Sequence, residues 1–265
     1  MKKLFAILTI IFFASLLPIK AQDRPAKPKT IITGKFIGLS KPLKDAPAMS
    51  KEEYMLMQAK AKKRGKNTPF DLPKYPYASK ALPKGNDAAW QNLNGNKSLV
   101  SLAPIQNYEG QSSPYYPPDC NGTAGPNHYM QTVNSTYAIY SKTGTLLVGP
   151  TAMNTLFGNV TGANVNDGDP IILYDEQAAR FVAVEFSVSG TNDYMLIAVS
   201  TSNDPTGTWY QYSFDVVDMP DYEKMAVWRD GYYMGTNTQP STGSDIYVFE
   251  RSQMLSGGIA RMVAF

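Results

Sequence analysis

The chain of 265 residues has very little of the chemistry that most metal sites and nucleophilic enzymes use. It contains a single cysteine, Cys120, and a single histidine, His128. One cysteine excludes an internal disulfide, and these two residues are too few for a zinc cluster. The segment Asp167–Asp169 offers oxygen ligands in a turn, but without the spacing of an EF-hand loop. Phosphate-binding and dinucleotide-binding glycine motifs are also absent from the sequence, so we predict neither a metal nor a cofactor.

Long hydrophobic runs are scarce as well. The apolar run of residues 4–17 follows Lys2 and Lys3 and ends shortly before Ala21. It is shorter than the roughly 20 residues of a membrane-spanning helix, so we predict no transmembrane segment in the mature chain. A basic start, a short apolar run and a small residue are typical of a secretory signal peptide, here residues 1–21. We expect a secreted protein, extracellular or at the cell surface, and the lone cysteine favours a Gram-negative bacterium.

Acidic residues are few in the first part of the mature chain. Residues 22–100 hold 16 Lys+Arg against 6 Asp+Glu, whereas residues 101–265 hold 6 against 16. The first part is rich in proline and lysine, which predicts a mostly flexible basic arm. Ser50 and Glu53 form a capping box, so we expect one short helix in this arm, near Ser50–Arg64. Nucleic acid is not an expected partner of the arm in an exported protein.

Residues 101–265 contain a repeat of about 50 residues that is built of strands. Three acidic residues, Asp119, Asp169 and Asp221, each precede a short apolar run and lie 50 and 52 residues apart. In each repeat a tight turn leads to an aromatic-led second strand, then to a third and a fourth. A period of this length is typical of β-propeller blades. We predict an all-β fold of three four-stranded blades at Asp119–Pro150, Asp169–Val216 and Asp221–Phe265, with inner strands near Thr123–Pro126, Ile171–Tyr174 and Met225–Trp228.

Three blades are fewer than the roughly four to eight with which propellers close. The last strand, Met262–Phe265, is apolar and has no turn after it. We therefore expect an incomplete propeller, the N-terminal portion of a longer protein, with an unpaired sheet edge after Phe265. A complete open array of three blades is the alternative.

Three motifs occur in order along this region, at Pro118–Tyr129 (PDCNGTAGPNHY), Asp169–Asp175 (DPIILYD) and Asp221–Tyr233 (DYEKMAVWRDGYY). They resemble motifs of large secreted β-propeller proteins of Bacteroidetes, and the resemblance covers residues 117–265. It implies further blades, often followed by adhesive or secretion-sorting modules, and most members have no assigned activity. The chain differs from the usual pattern at Cys120 and Glu223.

The favoured functional hypothesis is a non-catalytic extracellular binding or adhesion module for a glycan or a cell-surface protein. Propeller blades place their first strands around a central channel, where equivalent residues of successive repeats meet. The predicted ligand-binding residues are acidic leaders and polar or aromatic residues near strand ends, namely Asp119, His128, Asp169, Asp221, Tyr222, Lys224, Trp228 and Asn237. An Asp at the same place in every blade is also a common turn former, and that interpretation stays open.

The alternative function is a glycoside hydrolase of the five-bladed arabinanase and xylosidase type. Such an inverting enzyme needs two carboxyl groups about 6.5–9.5 Å apart, one of them with a raised pKa. The candidates for this pair are Asp119, Asp169, Asp221 and Glu185. Repeated acids also follow from the fold alone, so the fold by itself does not assign the activity.

Overall fold

The structure is a computed structural model. It describes residues 26–56, 105–112, 117–158, 160, 163, 166–189, 192–216, 218–239 and 243–265. The predicted signal peptide and most of the predicted arm lie outside these residues.

Fourteen strands are described, and they form three antiparallel sheets, each of which contains four consecutive strands. Two short strands come first, β1 (Thr30–Thr33) and β2 (Lys35–Leu39). The first sheet contains β3 (Asn121–Ala124), β4 (His128–Val133), β5 (Thr136–Ser141) and β6 (Leu146–Ala152). The second contains β7 (Ile171–Asp175), β8 (Arg180–Ser189), β9 (Asn192–Ser200) and β10 (Trp209–Val216). The third contains β11 (Met219–Val227), β12 (Tyr232–Gln239), β13 (Gly243–Phe249) and β14 (Arg261–Ala264).

This architecture confirms the all-β prediction, and each predicted repeat contains four consecutive antiparallel strands. Each sheet is a simple meander, and the observed first strands β3, β7 and β11 overlap the three predicted inner strands. A short helix, Arg251–Ser256, lies between β13 and β14 and was not expected from the sequence. The described sheets do not close into a ring.

The side-chain alternation of the strands explains how the sheets stack. Along β12, Tyr232 and Met234 are buried while Tyr233 is exposed, as a period of two requires. Apolar residues of one face of the second sheet, such as Val184, pack with the third sheet, and residues of its other face, such as Ala183, pack with the first. Because the second sheet is buried on both faces, β3 and β11 both contact β7.

The turn between β9 and β10 is held by hydrogen bonds that side chains make with the backbone. In the segment between β9 and β10, the Asp204 carboxylate accepts hydrogen bonds from the Thr206 N–H (2.9 Å) and hydroxyl (2.7 Å). The buried indole of Trp209 donates to the Pro205 carbonyl at 2.9 Å. These hydrogen bonds fix the β9–β10 hairpin against the core of the second sheet.

The prediction of a mostly flexible arm is wrong for residues 29–49, which we call the edge segment. β1 pairs with β14 at the edge of the third sheet, and β2 pairs with β10 at the edge of the second. At the first sheet, the Met49 N–H donates to the Pro150 carbonyl at 2.9 Å. The segment therefore lies along the outer edges of all three sheets in reverse order. The composition of the segment did not indicate these strands, because β1 and β2 are short and bury mainly Phe36 and Ile32 against the larger sheets.

The edge segment also corrects the expectation of an unpaired edge at the end of the third sheet. The register joins Thr30 to Ala264 and Thr33 to Arg261, so β14 has a strand on each side. A paired edge does not template association with another chain, which is the hazard that an open edge carries.

The predicted capping box is confirmed. The Ser50 hydroxyl accepts the Glu53 N–H at 3.1 Å, and the Glu53 carboxylate accepts the Ser50 N–H at 2.7 Å. This lowers the pKa of Glu53 through its hydrogen bonds with Ser50. A helix follows over residues 51–56, and the remainder of the predicted helix, to Arg64, lies outside the described residues.

One ion pair joins the second and third sheets at the end of β7. The Arg251 guanidinium donates to both carboxylate oxygens of Asp175, at 2.6 and 2.9 Å, and the Tyr232 hydroxyl donates to the same carboxylate at 3.1 Å. Burial favours a higher pKa for Asp175, but the hydrogen bonds from Arg251 and the Ala178 N–H outweigh it, and the pKa is lowered. The side chain of Asp175 is fully buried, so its negative charge depends on these donors.

We predict that Asp175→Ala lowers the free energy of unfolding by about 3 kcal/mol, because it leaves the partly buried Arg251 without its partner. A matched control is Asp215→Ala, which breaks the half-exposed pair with Lys35. The control is expected to cost less than about 1 kcal/mol. Urea unfolding of both variants measures the difference, and equal losses would contradict the assigned role of Asp175.

The edge segment generates a second prediction. A chain that begins at Lys41 lacks β1 and β2, exposes the edges of β10 and β14, and loses the contact of Phe36 with the rings of Tyr210 and Tyr212. We expect a lower melting temperature and visible association by light scattering. The control is a chain that begins at Lys29 and keeps both strands. The same melting temperature for the two chains would show that the edge segment is not part of the folded unit.

Candidate functional site

The three acidic leaders meet where the first strands of the three sheets begin. Asp119 and Asp169 each lie two residues before their strand, and both have a positive φ, 42° and 52°. The third repeat differs, because Asp221 lies inside β11 and the positive φ, 53°, falls on Tyr222. The ladder between β11 and β12 shifts register between Asp221 and Lys224, which is the irregularity that accommodates this backbone.

Hydrogen bonds between the first and second sheets fix this end of the strands. The Ile172 N–H donates to the Asn121 side-chain carbonyl at 2.8 Å, and the Thr132 hydroxyl donates to the Pro170 carbonyl at 3.1 Å. The Asn134 amide donates to the Asp119 carboxylate at 3.0 Å. Asp119 is therefore held by a neighbouring turn while its strand is tied to β7.

Asp169 has a strongly raised pKa. Burial raises the pKa of Asp169 to about 7, with further contributions from a hydrogen bond with Asp119 and from the negative charges of Asp119 and Asp221. The positive charge of Lys224 acts in the opposite direction. Asp119 and Asp221 are thus both within electrostatic reach of Asp169, and Asp119 also shares a hydrogen bond with it.

Two further carboxyl groups lie behind this cluster. Glu185, on β8, and Glu223, on β11, have fully buried side chains, and among the described residues their carboxyl oxygens make no hydrogen bond of ordinary geometry. Only backbone N–H groups act on them as donors, that of Gly168 on Glu185 and its own on Glu223. Burial raises the pKa of both groups well above the usual value, and the charge of Asp169 adds to the rise at Glu223. A buried carboxyl without a partner carries a desolvation cost that a bound ligand can relieve. We define the carboxyl cluster as Asp119, Asp169, Asp221, Glu185 and Glu223.

Sequence reasoning did not assign Glu223 to the site. The signal was present in the alternation of β11, because Glu223 occupies the inward position that Met225 and Val227 take next. A carboxyl at an apolar position of a strand indicates either a buried partner or a site. Glu185 interrupts the apolar alternation of β8 in the same way, opposite the buried Leu196.

Exposed residues border the carboxyl cluster on β11 and β12. The Tyr222 side chain is 54% exposed, and the Lys224 ammonium lies 3.5 Å from the centre of its ring. Lys224 also donates to the Glu223 backbone carbonyl at 2.8 Å. Asn237 is exposed and pairs with Asp221 across the β11–β12 ladder. An aromatic ring, an ammonium and an amide are therefore exposed next to Asp221 and Glu223 on these two strands.

Two predicted site residues lie elsewhere. His128 begins β4 and Trp228 follows β11, so both are at the opposite ends of these hairpins from Asp119 and Asp221. The His128 Nε2 atom is 3.6 Å from the Asp204 carboxylate, and Trp228 is 57% exposed next to Arg229. The structure therefore separates these two residues from the other six candidates. His128 begins β4, which runs antiparallel to β3, and Trp228 follows the far end of β11 from Asp221.

The part of the chain that the structure describes contains no group of three or more Asp, Glu, His or Cys side chains arranged to hold a metal ion. It also contains no helix with the length and apolar character needed to cross a membrane. Comparison of the chain with protein-family models, curated proteins and solved structures gives no match. Any functional assignment therefore depends on the geometry of the chain itself.

The carboxyl cluster predicts an unusual dependence of stability on pH. An unfolded Asp titrates near pH 4, whereas the pKa of Asp169 is about 7 in the folded protein. Its contribution to folding is fully present below about pH 4 and is lost as the pH rises through about 7, and Glu185 and Glu223 act in the same direction. We expect the melting temperature to fall between pH 5 and pH 8.

Asp169→Asn, which cannot ionise, should flatten this fall, and the exposed Asp230→Asn should leave it unchanged. Thermal unfolding at a series of pH values tests both variants. A melting temperature that rises from pH 5 to pH 8 in the unmodified chain would contradict the raised pKa.

Proposed function

We propose that the three sheets are blades of a β-propeller in a secreted bacterial protein. Three features support this interpretation: each sheet contains a meander of four consecutive strands, the first strands of neighbouring sheets contact each other, and the last strands lie on the far side of each meander. The predicted signal peptide at residues 1–21 supports export.

We further propose that the protein is a non-catalytic binding module and that the carboxyl cluster binds a glycan. The observation that carries this proposal is the pair of fully buried carboxyl groups, Glu185 and Glu223, whose oxygens make no hydrogen bond of ordinary geometry and have no side-chain donor in the described chain. Sugar hydroxyls both donate and accept hydrogen bonds, so they suit carboxyl groups that are protonated or share a proton. The exposed ring of Tyr222 beside the cluster supplies the apolar face on which a sugar ring packs.

The geometry of the two closest acids favours binding over hydrolysis. The Asp119 and Asp169 carboxyl groups are hydrogen-bonded to each other. This contact is much shorter than the separation of about 6.5–9.5 Å that an inverting glycosidase keeps for its water molecule. Asp119 and Asp169 therefore connect the beginnings of β3 and β7 to each other.

A glycoside hydrolase remains the second candidate because of one observation. The pKa of about 7 at Asp169 is that of an effective general acid near neutral pH. In that case Asp169 would protonate the leaving oxygen, and a second carboxyl of the cluster would act as the base.

Glycan-array screening followed by calorimetry tests the binding proposal. Tyr222→Ala is expected to weaken binding about tenfold, because it removes the stacking face without changing the core. Asp169→Asn should weaken binding while preserving the fold. The matched control is Trp228→Ala, an exposed aromatic residue at the opposite end of the same strand, and it should bind as the unmodified chain does.

The same proteins distinguish the two functions in an assay of reducing ends released from arabinan and xylan. We expect no release from any variant. The contrary result is hydrolysis by the unmodified chain, lowered by several orders of magnitude in Asp169→Asn while the melting temperature stays unchanged. That result would contradict the binding proposal and support the glycoside hydrolase.

A further inference from the structure

A cavity of about 640 Å³ opens on the face of the first sheet that turns away from the second sheet. Met130 packs toward the second sheet, so the alternation of β4 places its neighbours Tyr129 and Gln131 on this outward face. Residues 105–112 lie across the same face, where the Gln111 N–H donates to the Gln131 side-chain carbonyl at 2.9 Å. The cavity lies between that segment and the sheet, and we call it the outer cavity.

The outer cavity combines an apolar wall with hydrogen-bonding groups. The rings of Tyr108 and Tyr129, whose centres are 6.4 Å apart, line it together with the exposed side chain of Ile105. The exposed side chains of Gln106 and Asn107 add two amides. This volume, with aromatic walls and a few polar groups, is typical of a site for a small ligand.

Two glycines allow the aromatic walls to lie close to the backbone. A Cβ atom at Gly122 would be 2.6 Å from the Tyr129 hydroxyl oxygen, and one at Gly144 would be 2.7 Å from the Tyr108 ring. Gly144 also has a positive φ of 88°, which favours glycine over any other residue. The positions of both rings are therefore set by β3 and by the β5–β6 turn, so the outer cavity is formed before a ligand binds.

The charge of the outer cavity comes from one lysine. Lys142 is the only charged residue among the described residues that line it. Its ammonium donates to the Gly125 carbonyl at 3.1 Å, and it forms no ion pair with any carboxylate in the described part of the chain. Glu109 belongs to the neighbouring segment but does not line the cavity. Because residues 101–265 hold 16 acidic residues against 6 basic ones, a lysine without an acidic partner is unusual here and favours an anionic ligand.

We infer that the outer cavity binds an acidic glycan, with the carboxylate of a uronic acid residue at Lys142 and its ring against Tyr129. An ammonium with two further N–H donors suits a carboxylate, and an aromatic ring suits the C–H face of a sugar. The amides of Gln106 and Asn107 can donate to and accept from the sugar hydroxyls.

The outer cavity is separate from the carboxyl cluster. Ala124, which lines the cavity, ends β3, whereas Asp119 precedes the beginning of that strand. The negative charge of the cluster disfavours an acidic glycan, so the two sites select different ligands. The inference therefore does not depend on the function proposed for the cluster.

Calorimetry with digalacturonate and its neutral counterpart, galactobiose, tests the inference. We expect the unmodified chain to bind digalacturonate at least about tenfold more tightly than galactobiose. Lys142→Met should remove this preference by weakening digalacturonate binding about tenfold while leaving galactobiose binding unchanged, because it deletes the charge and keeps the aliphatic chain. The matched control is Lys44→Met, which removes the same charge from an exposed lysine of the edge segment and should bind as the unmodified chain does.

A second variant separates ring packing from charge. Tyr129→Leu keeps an apolar side chain but lacks the aromatic ring, so it should weaken the binding of both disaccharides several-fold. Circular dichroism and thermal melting confirm that every variant folds. Asp169→Asn, at the carboxyl cluster, should bind digalacturonate unchanged, which distinguishes a failure of this inference from a failure of the cluster proposal.

Three results would overturn the inference. The first is no binding of digalacturonate, or binding no tighter than that of galactobiose. The second is digalacturonate binding that Lys142→Met and Tyr129→Leu leave unchanged, which would place the acidic glycan elsewhere. The third is tighter binding of 4-hydroxybenzoate than of digalacturonate, which would assign the outer cavity to small aromatic acids.

Discussion

Apolar packing on both faces of the second sheet is the interaction on which the other features of this chain depend. Val184 and Ile197 face the third sheet, and Ala183 and Leu196 face the first. This double burial aligns the three sheets with their first strands side by side. The acidic leaders converge as a consequence, because each repeat carries its acid at the start of that strand. The bidentate pair of Asp175 with Arg251 then fixes the opposite end of β7 to the third sheet.

Convergence of the first strands has an energetic cost at the carboxyl cluster. Asp169 shares a hydrogen bond with Asp119, and Glu185 and Glu223 are buried without a side-chain donor among the described residues. Apolar residues at positions 185 and 223 would suit the strand alternation better. Buried carboxyl groups at positions where an apolar residue is expected, in an otherwise regular fold, are typical of functional sites. This is the physical basis for assigning a binding role to the cluster.

The sequence predicted the repeats well because strand alternation, turns and leading acids recur at a nearly constant spacing. It also predicted the capping box, since Ser50 and Glu53 are local neighbours. It missed β1 and β2, whose partners β14 and β10 lie more than 170 residues away along the chain. Six of the eight binding candidates lie at the carboxyl cluster. His128 and Trp228 do not, because they lie at the opposite ends of their hairpins from the acidic leaders. Glu223 was overlooked because burial of a charged side chain is decided by packing.

The protonation state of the buried carboxyl groups is the most direct test of the site. Carbon-13 NMR resolves the carboxyl resonances of Asp169, Glu185 and Glu223 as the pH is changed, with single Asp→Asn and Glu→Gln variants for assignment. We predict that Asp169 titrates near pH 7 and that both glutamates remain protonated well above the usual range. Titration of all three groups near pH 4 would mean that they are solvated and separate, and the carboxyl cluster would then not be the site proposed for it.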